Sequence, residues 1–186
     1  MSVRVAESNG FSFVDIRLTF GIDLLKTSCS SLREHEYFRK AEVVNIDSLK
    51  KIASGSYEES RYFYDGNFDT KLIEEFYKGW VEKAVKGDFD DECWCFIEDK
   101  NPYAFCTVKY ITEKEASIGL VGVSSNYRGK GCGKAIILST LNYLKNKGMQ
   151  KVSVVTQGRN YTAQNLYISS GFRMKSTQLW YHKWMY

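Results

Sequence analysis

Three glycines at alternate positions between a strand pattern and a helix pattern constrain the fold of this chain more than any other feature. The loop consists of Arg128, Gly129, Lys130, Gly131, Cys132, Gly133 and Lys134. Glycine has no Cβ atom, so the backbone here can approach a ligand closely. The strand pattern ends at Val123 and the helix pattern begins at Gly133. Unpaired N–H groups and the positive end of a helix dipole then point at one spot, which predicts a site for a pyrophosphate.

The spacing of these glycines excludes two common phosphate-binding loops. A dinucleotide-binding loop carries G-x-G-x-x-G after a strand, and a Walker loop carries G-x-x-x-x-G-K followed by Ser or Thr. Neither spacing occurs in the chain. The strands that precede the loop also indicate an antiparallel meander, which is not the context of a dinucleotide-binding fold.

Hydrophobic periodicity predicts six strands and four helices. The strands cover 11–20, 92–97, 104–111, 116–123, 152–156 and 173–184, and the helices cover 47–53, 70–86, 133–147 and 161–170. The first strand contains one phase slip, Asp47 is the expected N-cap of the first helix, and 56–69 is expected to be an ordered loop. The last strand of the meander, its helix and the next strand form a βαβ unit, so a parallel pair follows the meander.

Composition and charge indicate a soluble protein without metal or nucleic acid. No apolar run approaches the ~20 residues of a membrane span, and the first residues lack the pattern of a signal peptide. We therefore expect a cytoplasmic protein with its five cysteines reduced. The chain has only two histidines, which argues against a Cys/His zinc site. The net charge of +4 comes from interspersed Lys and Arg, which suits anionic small molecules better than a nucleic acid.

The N-terminal residues contain a weak echo of the C-terminal ones. Ser-Asn-Gly-Phe at 8–11 precedes a strand, as Ser-Ser-Gly-Phe does at 169–172. We expect residues 1–40 to form an N-terminal extension with one strand, and 41–186 to form the main domain. The extension is either an unrelated segment or the remnant of a second, degenerate copy of the same fold.

Three segments together resemble motifs A and B of the GNAT acetyltransferases. They are the strand 118–123, the loop 128–134, and the pattern Asn160-x-x-Ala163-x-x-Leu166-Tyr167-x-x-x-Gly171-Phe172. The resemblance implies an α/β (α+β) fold with a mixed central sheet, splayed between predicted strands 4 and 5, 116–123 and 152–156. It implies acetyl-CoA as cosubstrate in that gap. The pyrophosphate would meet the backbone of 128–134, and the pantetheine would pair with the backbone of Val121 and Val123.

Tyr167 is the candidate catalytic residue. Asn160, Ala163 and Tyr167 share one helix face by their spacing, and in the resembling family that face lines the coenzyme while the tyrosine reaches the thioester sulfur. A leaving thiolate needs a proton, and a tyrosine is still protonated at neutral pH. The alternative is a tyrosine that only packs. Cys132 replaces an aliphatic residue of the family, and we interpret it as a small buried side chain.

Several aromatic and charged residues resemble the TDP-fucosamine acetyltransferase subfamily. The match rests on Arg61, Tyr62, Asp65, Trp180 and His182, together with Tyr77-x-x-Trp80 and Thr156-Gln157. It implies a small-molecule amine acceptor, a 4-amino-4,6-dideoxy sugar on TDP, used for surface polysaccharide. Arg61 can bind a phosphate and Trp180 can stack on a sugar or base. The alternative is that these aromatics belong to the core.

Other acceptors and one other class of function stay open at this stage. A protein N-terminus, a lysine or a polyamine could accept the acetyl group, and a non-catalytic domain that binds coenzyme A is a remote alternative. His182 is either the general base or a structural residue. A homodimer is compatible with the sequence, which carries no signal for or against it.

Overall fold

A computed structural model describes residues 3–27 and 35–185 as one seven-stranded mixed sheet with helices on both faces. The strands are β1 Ser12–Asp23, β2 Phe38–Lys40, β3 Glu92–Glu98, β4 Asn101–Tyr110, β5 Glu115–Val123, β6 Lys151–Gln157 and β7 Arg173–His182. The helices are α1 Val3–Ser8, α2 Ile46–Ala53, α3 Arg61–Asp65, α4 Thr70–Lys86, α5 Cys132–Asn146 and α6 Tyr161–Ser169. The strand order is β2-β3-β4-β5-β6-β1-β7.

Most of the predicted elements are confirmed, and the predicted bounds of α4 are those observed. Three short elements were missed, namely α1, β2 and α3. β2 has three residues, too few to display a period of two, and it pairs with β3 through Phe38 opposite Phe96. α3 lies within the segment 56–69, which was predicted to be a loop. Its five residues bury no side chain, so the sequence shows no helical periodicity there. The expected cap Asp47 is also wrong: α2 begins at Ile46, and Asn45 is its N-cap residue.

The N-terminal strand lies inside the sheet. β1 pairs antiparallel with β6 on one side and with β7 on the other. The predicted phase slip is a register shift between Phe13 and Asp15. Residues 28–34 of the predicted extension lie outside the described residues. Whether 1–40 derive from a second copy of the fold stays a prediction.

The predicted splay of the sheet is confirmed. β5 and β6 are parallel neighbours over four residue pairs, from Glu115 opposite Lys151 to Ile118 opposite Val154. Beyond Ile118 the two strands separate, whereas β5 remains paired with β4 up to Val123. The gap therefore opens at the carboxyl end of the parallel pair, where ligands commonly bind to α/β sheets.

Two apolar layers hold the sheet between its helices. One layer packs α5 and α6 against one face of the sheet and includes Leu141, Val154 and Phe172. The other packs α2 and α4 against the opposite face and includes Val81 and Phe105. Within the described ranges, none of the helices combines the length and hydropathy needed to cross a membrane.

The start of α4 provides a test of local stability. Asp69 accepts a hydrogen bond from the backbone N–H of Lys71 at 2.7 Å, so it caps the helix. We expect Asp69→Ala to lower the free energy of unfolding by about 1 kcal/mol, the usual contribution of such a cap. Asp69→Asn should retain most of it, because Asn also accepts this bond. Urea denaturation measures both, and equal stability of the Ala variant and wild type would contradict the assignment.

Candidate active site

A cleft of about 920 Å³ occupies the gap between β5 and β6. Most of the residues predicted for the site line it. They are Arg61, Tyr62, Val121, Val123, Arg128, Gly129, Gly131, Cys132, Gly133, Lys134, Asn160, Ala163, Tyr167 and Trp180. Three predicted residues, Lys130, Asp65 and His182, are not among the lining residues. The fold thus brings together side chains that lie more than 100 positions apart in the chain.

The glycine loop leaves its backbone open to the cleft. Gly129 and Gly131 have φ angles of 74° and 81°, a left-handed conformation that favours glycine. A Cβ atom built on either one meets nothing within 4 Å, so the space beside the loop is open. α5 begins at Cys132, one residue before the predicted start, and its N-cap Gly131 has no side chain to cap the first N–H groups. An anion is therefore a suitable partner for these N–H groups.

Where β5 has left β6, other groups bond to its backbone. The Tyr57 hydroxyl donates to the carbonyl oxygen of Val121 at 3.3 Å, and Arg128 Nε donates to that of Val123 at 3.1 Å. The Arg128 guanidinium also donates to Ser56 Oγ at 3.1 Å, so it ties the end of β5 to the segment before α3. Tyr57 lines the cleft as well. Sequence patterns did not indicate Tyr57, because it lies in a segment without periodicity.

Tyr167 lies on α6 with its ring packed between Phe20 and Phe172, at centroid distances of 6.0 and 5.9 Å. The residue is 5% exposed, and burial raises the pKa of its phenol above the usual value. Its hydroxyl has no hydrogen-bond partner in the part of the chain that the structure describes. Asn160 starts the same helix by accepting a bond from Ala163 N at 2.9 Å. The helix therefore presents a protonated phenol at the cleft with its hydrogen-bonding capacity unused.

Two arginines flank the indole of Trp180 at the cleft. The Arg61 guanidinium carbon lies 3.9 Å from the centroid of the Trp180 ring and 4.3 Å from that of Tyr62, and the guanidinium carbon of Arg17 lies 5.7 Å from the Trp180 centroid. Burial and the charge of Arg61 lower the pKa of Arg17. Arg17 was missed by the sequence analysis because it occupies an outward position of a strand, where an arginine is ordinary.

Asp65 and His182 contact each other and are not among the residues that line the cleft. His182 Nδ1 is hydrogen bonded to Asp65 Oδ2, and Trp184 Nε1 donates to Asp65 Oδ1 at 3.1 Å. The ring of Phe68 packs against the rings of His182 and Trp184. These contacts join the end of β7 to the end of α3. β7 carries Trp180, and α3 begins with Arg61. The two residues thereby support the pair that does line the cleft.

Comparison with known proteins assigns the family. The model of the acetyltransferase (GNAT) family matches residues 47–172, more than half of the chain. The chain belongs to the GNAT acetyltransferase family. The match begins in α2 and ends after α6, so it includes the glycine loop, the splayed strands and Tyr167.

Individual relatives are more distant. The chain is 28% identical over 144 residues to a dTDP-fucosamine acetyltransferase of Escherichia coli, a match covering 77% of this chain and 61% of the relative. A mycothiol acetyltransferase of Nocardiopsis dassonvillei is 35% identical over 69 residues, or 37% of this chain and 21% of the relative. The chain thus spans less than two thirds of the length of these curated relatives.

A solved structure shares the fold. The PaiA N-acetyltransferase of Thermoplasma acidophilum, determined in complex with coenzyme A, superposes with a TM-score of 0.61 at 19% identity. The superposition covers 79% of this chain and 98% of that one. At this identity the likeness concerns the fold alone.

The glycine loop yields a binding test. We expect Gly131→Val to abolish binding of coenzyme A, because Gly131 has a φ of 81° and a branched side chain would enter the space beside the helix N-terminus. Gly10→Val is the matched control: Gly10 has a φ of 76°, and its nearest neighbour is a flexible lysine side chain. Calorimetric titration of both folded variants is the measurement. Wild-type affinity in Gly131→Val would remove the loop from the site.

Proposed function

We propose that this protein is an N-acetyltransferase that transfers the acetyl group of acetyl-CoA to a primary amine. The observation that carries the proposal is one cleft lined by three features. They are a glycine loop at a helix N-terminus, the side of β5 that is no longer paired with β6 beyond Ile118, and the buried phenol of Tyr167. Membership of the GNAT family supports it. A domain that only binds coenzyme A would have no need of the phenol.

The residues present fit a coenzyme A thioester. The open space beside Gly129 and Gly131 leaves room for a pyrophosphate against N–H groups that no side chain caps. The edge of β5 at Val121 and Val123 offers backbone groups to an extended pantetheine arm, as a neighbouring strand would. The thioester supplies the activated acetyl group. Backbone N–H groups of the same strand are suitable donors to the oxygen of the reacting carbonyl.

Tyr167 is proposed as the proton donor of the reaction. The amine nitrogen bonds to the acetyl carbon, the carbon–sulfur bond breaks, and the nitrogen loses one proton to solvent. The departing thiolate takes a proton from the Tyr167 hydroxyl, which is the donor we assign and which regains a proton from solvent. Burial that raises its pKa keeps the phenol protonated across the neutral range. A hydroxyl without another hydrogen-bond partner in the described residues can point at the sulfur.

Tyr167→Phe tests this role. The change keeps the ring between Phe20 and Phe172 but removes the proton donor, so we expect kcat to fall by roughly 10²–10⁴-fold while coenzyme affinity changes little. Tyr161→Phe is the control, since Tyr161 lies on the same helix and is 72% exposed. Initial rates and calorimetry provide the two readouts. Turnover within about threefold of wild type, with chemistry rate-limiting, would contradict the assignment.

We further propose that the acceptor carries a phosphate and an amino sugar, as TDP-4-amino-4,6-dideoxyhexose does. The arrangement of Arg17 and Arg61 about Trp180 supports it, because two guanidinium groups close together attract an anion. The dTDP-fucosamine acetyltransferase named above supports the same acceptor class.

Arg61→Gln tests the acceptor. We expect kcat/KM for a TDP-linked amino sugar to fall roughly 10- to 100-fold, the range for a lost hydrogen bond to a charged group, with coenzyme affinity unchanged. Arg173→Gln on the exposed part of β7 is the control. The wild-type enzyme should acetylate the nucleotide sugar much faster than a peptide or a polyamine. Acetylation of one of these alone would overturn the acceptor assignment and leave the acetyltransferase proposal standing.

A further inference from the structure

A bulge in β5 lies where that strand leaves β6. The register between β4 and β5 shifts from Val108 opposite Ile118 to Cys106 opposite Val121, so two residues of β5 face one residue of β4. The two residues on β5 are Gly119 and Leu120, and the single residue opposite them on β4 is Thr107. Pairing with β6 ends at Ile118, immediately before the bulge. Because a bulge bends its strand and increases the local twist, it accounts for the direction in which β5 turns away.

Buried side chains hold this bulge by a chain of hydrogen bonds. The backbone N–H of Leu120 donates to Thr107 Oγ1 at 2.7 Å, and Thr107 Oγ1 donates in turn to Asp90 Oδ2 at 2.6 Å. Trp80 Nε1 donates to the same carboxylate oxygen at 2.7 Å. The directions are fixed, because the hydroxyl accepts from an N–H and must give its own proton to the carboxylate. Thr107 is 0% exposed and Asp90 is 2% exposed.

The bulge accepts no side chain at its first residue. A Cβ atom on Gly119 would lie 2.3 Å from Asp90 Oδ2 and 2.7 Å from Thr107 Oγ1, distances that real Cβ atoms do not reach. Glycine at this position therefore lets the carboxylate and the hydroxyl approach the strand. Trp80, Asp90 and Gly119 also line the cleft, so this network adjoins the site.

We propose that Asp90, Thr107 and Trp80, which we name the bulge clamp, are positioning residues for the coenzyme. The bulge removes the Leu120 N–H from the backbone hydrogen bonds between β5 and β4. The clamp supplies an acceptor for this N–H and thereby fixes the course of β5 beyond Ile118. The backbone of Val121 and Val123 is thereby held toward the cleft, ready for an extended ligand. This inference rests on the coenzyme binding proposed above. The clamp acts through the strand and requires no contact with the acceptor, so it is independent of the acceptor class.

A second role for Asp90 makes a different prediction. A buried carboxylate at the cleft could take the proton of the amine, which would make it a catalytic base. Asparagine at position 90 keeps an oxygen that accepts from both Thr107 and Trp80 but cannot take up a proton. Asp90→Asn therefore separates positioning, which it preserves, from proton transfer, which it abolishes.

The first experiment measures coenzyme A affinity by calorimetry, well below the melting temperature of each variant. We expect Thr107→Val to weaken binding at least roughly tenfold, because it leaves the Leu120 N–H without an acceptor, and Thr107→Ser to restore affinity to within about threefold of wild type. Thr140→Val is the matched control. Thr140 is also 0% exposed, but its hydroxyl donates to the Ile136 carbonyl inside α5 at 2.8 Å. Equal affinity in the two valine variants would overturn the proposal.

The second experiment compares substitutions of Asp90 and Trp80. Asp90→Asn should retain coenzyme affinity and turnover within about threefold at every pH, whereas Asp90→Ala should weaken coenzyme binding as Thr107→Val does. Wild-type affinity with turnover abolished in Asp90→Asn would overturn the proposal in favour of a catalytic base. If Asp90→Ala and Thr107→Val do not fold, Trp80→Phe removes the Nε1 donor and keeps an aromatic side chain, although a smaller one, at that position. Unchanged coenzyme affinity in that variant would also contradict the clamp.

Discussion

The site depends on the separation of β5 from β6 after four residue pairs. A strand inside a sheet has its backbone N–H and C=O groups paired on both sides, and an unpaired buried group is costly. Here one side of β5 loses its neighbour beyond Ile118, and among the described residues Tyr57 and Arg128 supply part of the missing bonds. The remaining edge is a row of backbone groups that favours an extended ligand.

The two ends of the cleft attract anions by different physical means. At the glycine loop the attraction comes from backbone N–H groups and the dipole of α5, which depend on local geometry. At Trp180 it comes from the full charges of Arg17 and Arg61, which are brought together by β1, α3 and β7. Because the two cations repel one another, an anion between them lowers their electrostatic energy. Tyr167 lines the same cleft.

Neighbouring structure holds both sides of the cleft in position. On the side of β5, the bulge is bonded to Thr107, and the carboxylate of Asp90 joins that strand to α4 through Trp80. On the side of Trp180, Asp65 binds the end of β7 through His182 and Trp184. Asp65 and His182 are not among the residues that line the cleft, and they contact the elements that carry Arg61 and Trp180.

The sequence alone determined the local part of this protein. The glycine loop, the long helix α4, the meander β3–β5 and the motif around Tyr167 depend on contacts between residues close in the chain, so periodicity and spacing predict them. The short elements α1, β2 and α3 escaped prediction because three to six residues do not display a clear period. Tertiary structure alone decided where β1 lies, which brought Arg17 to Trp180, and which polar residues meet the bulge. Arg17, Tyr57 and Asp90 are ordinary in their local sequence and acquire their neighbours from strands and helices distant in the chain. Spacing reports neighbours along one helix or strand, whereas a cleft between strands is formed by residues that only the complete sheet brings together.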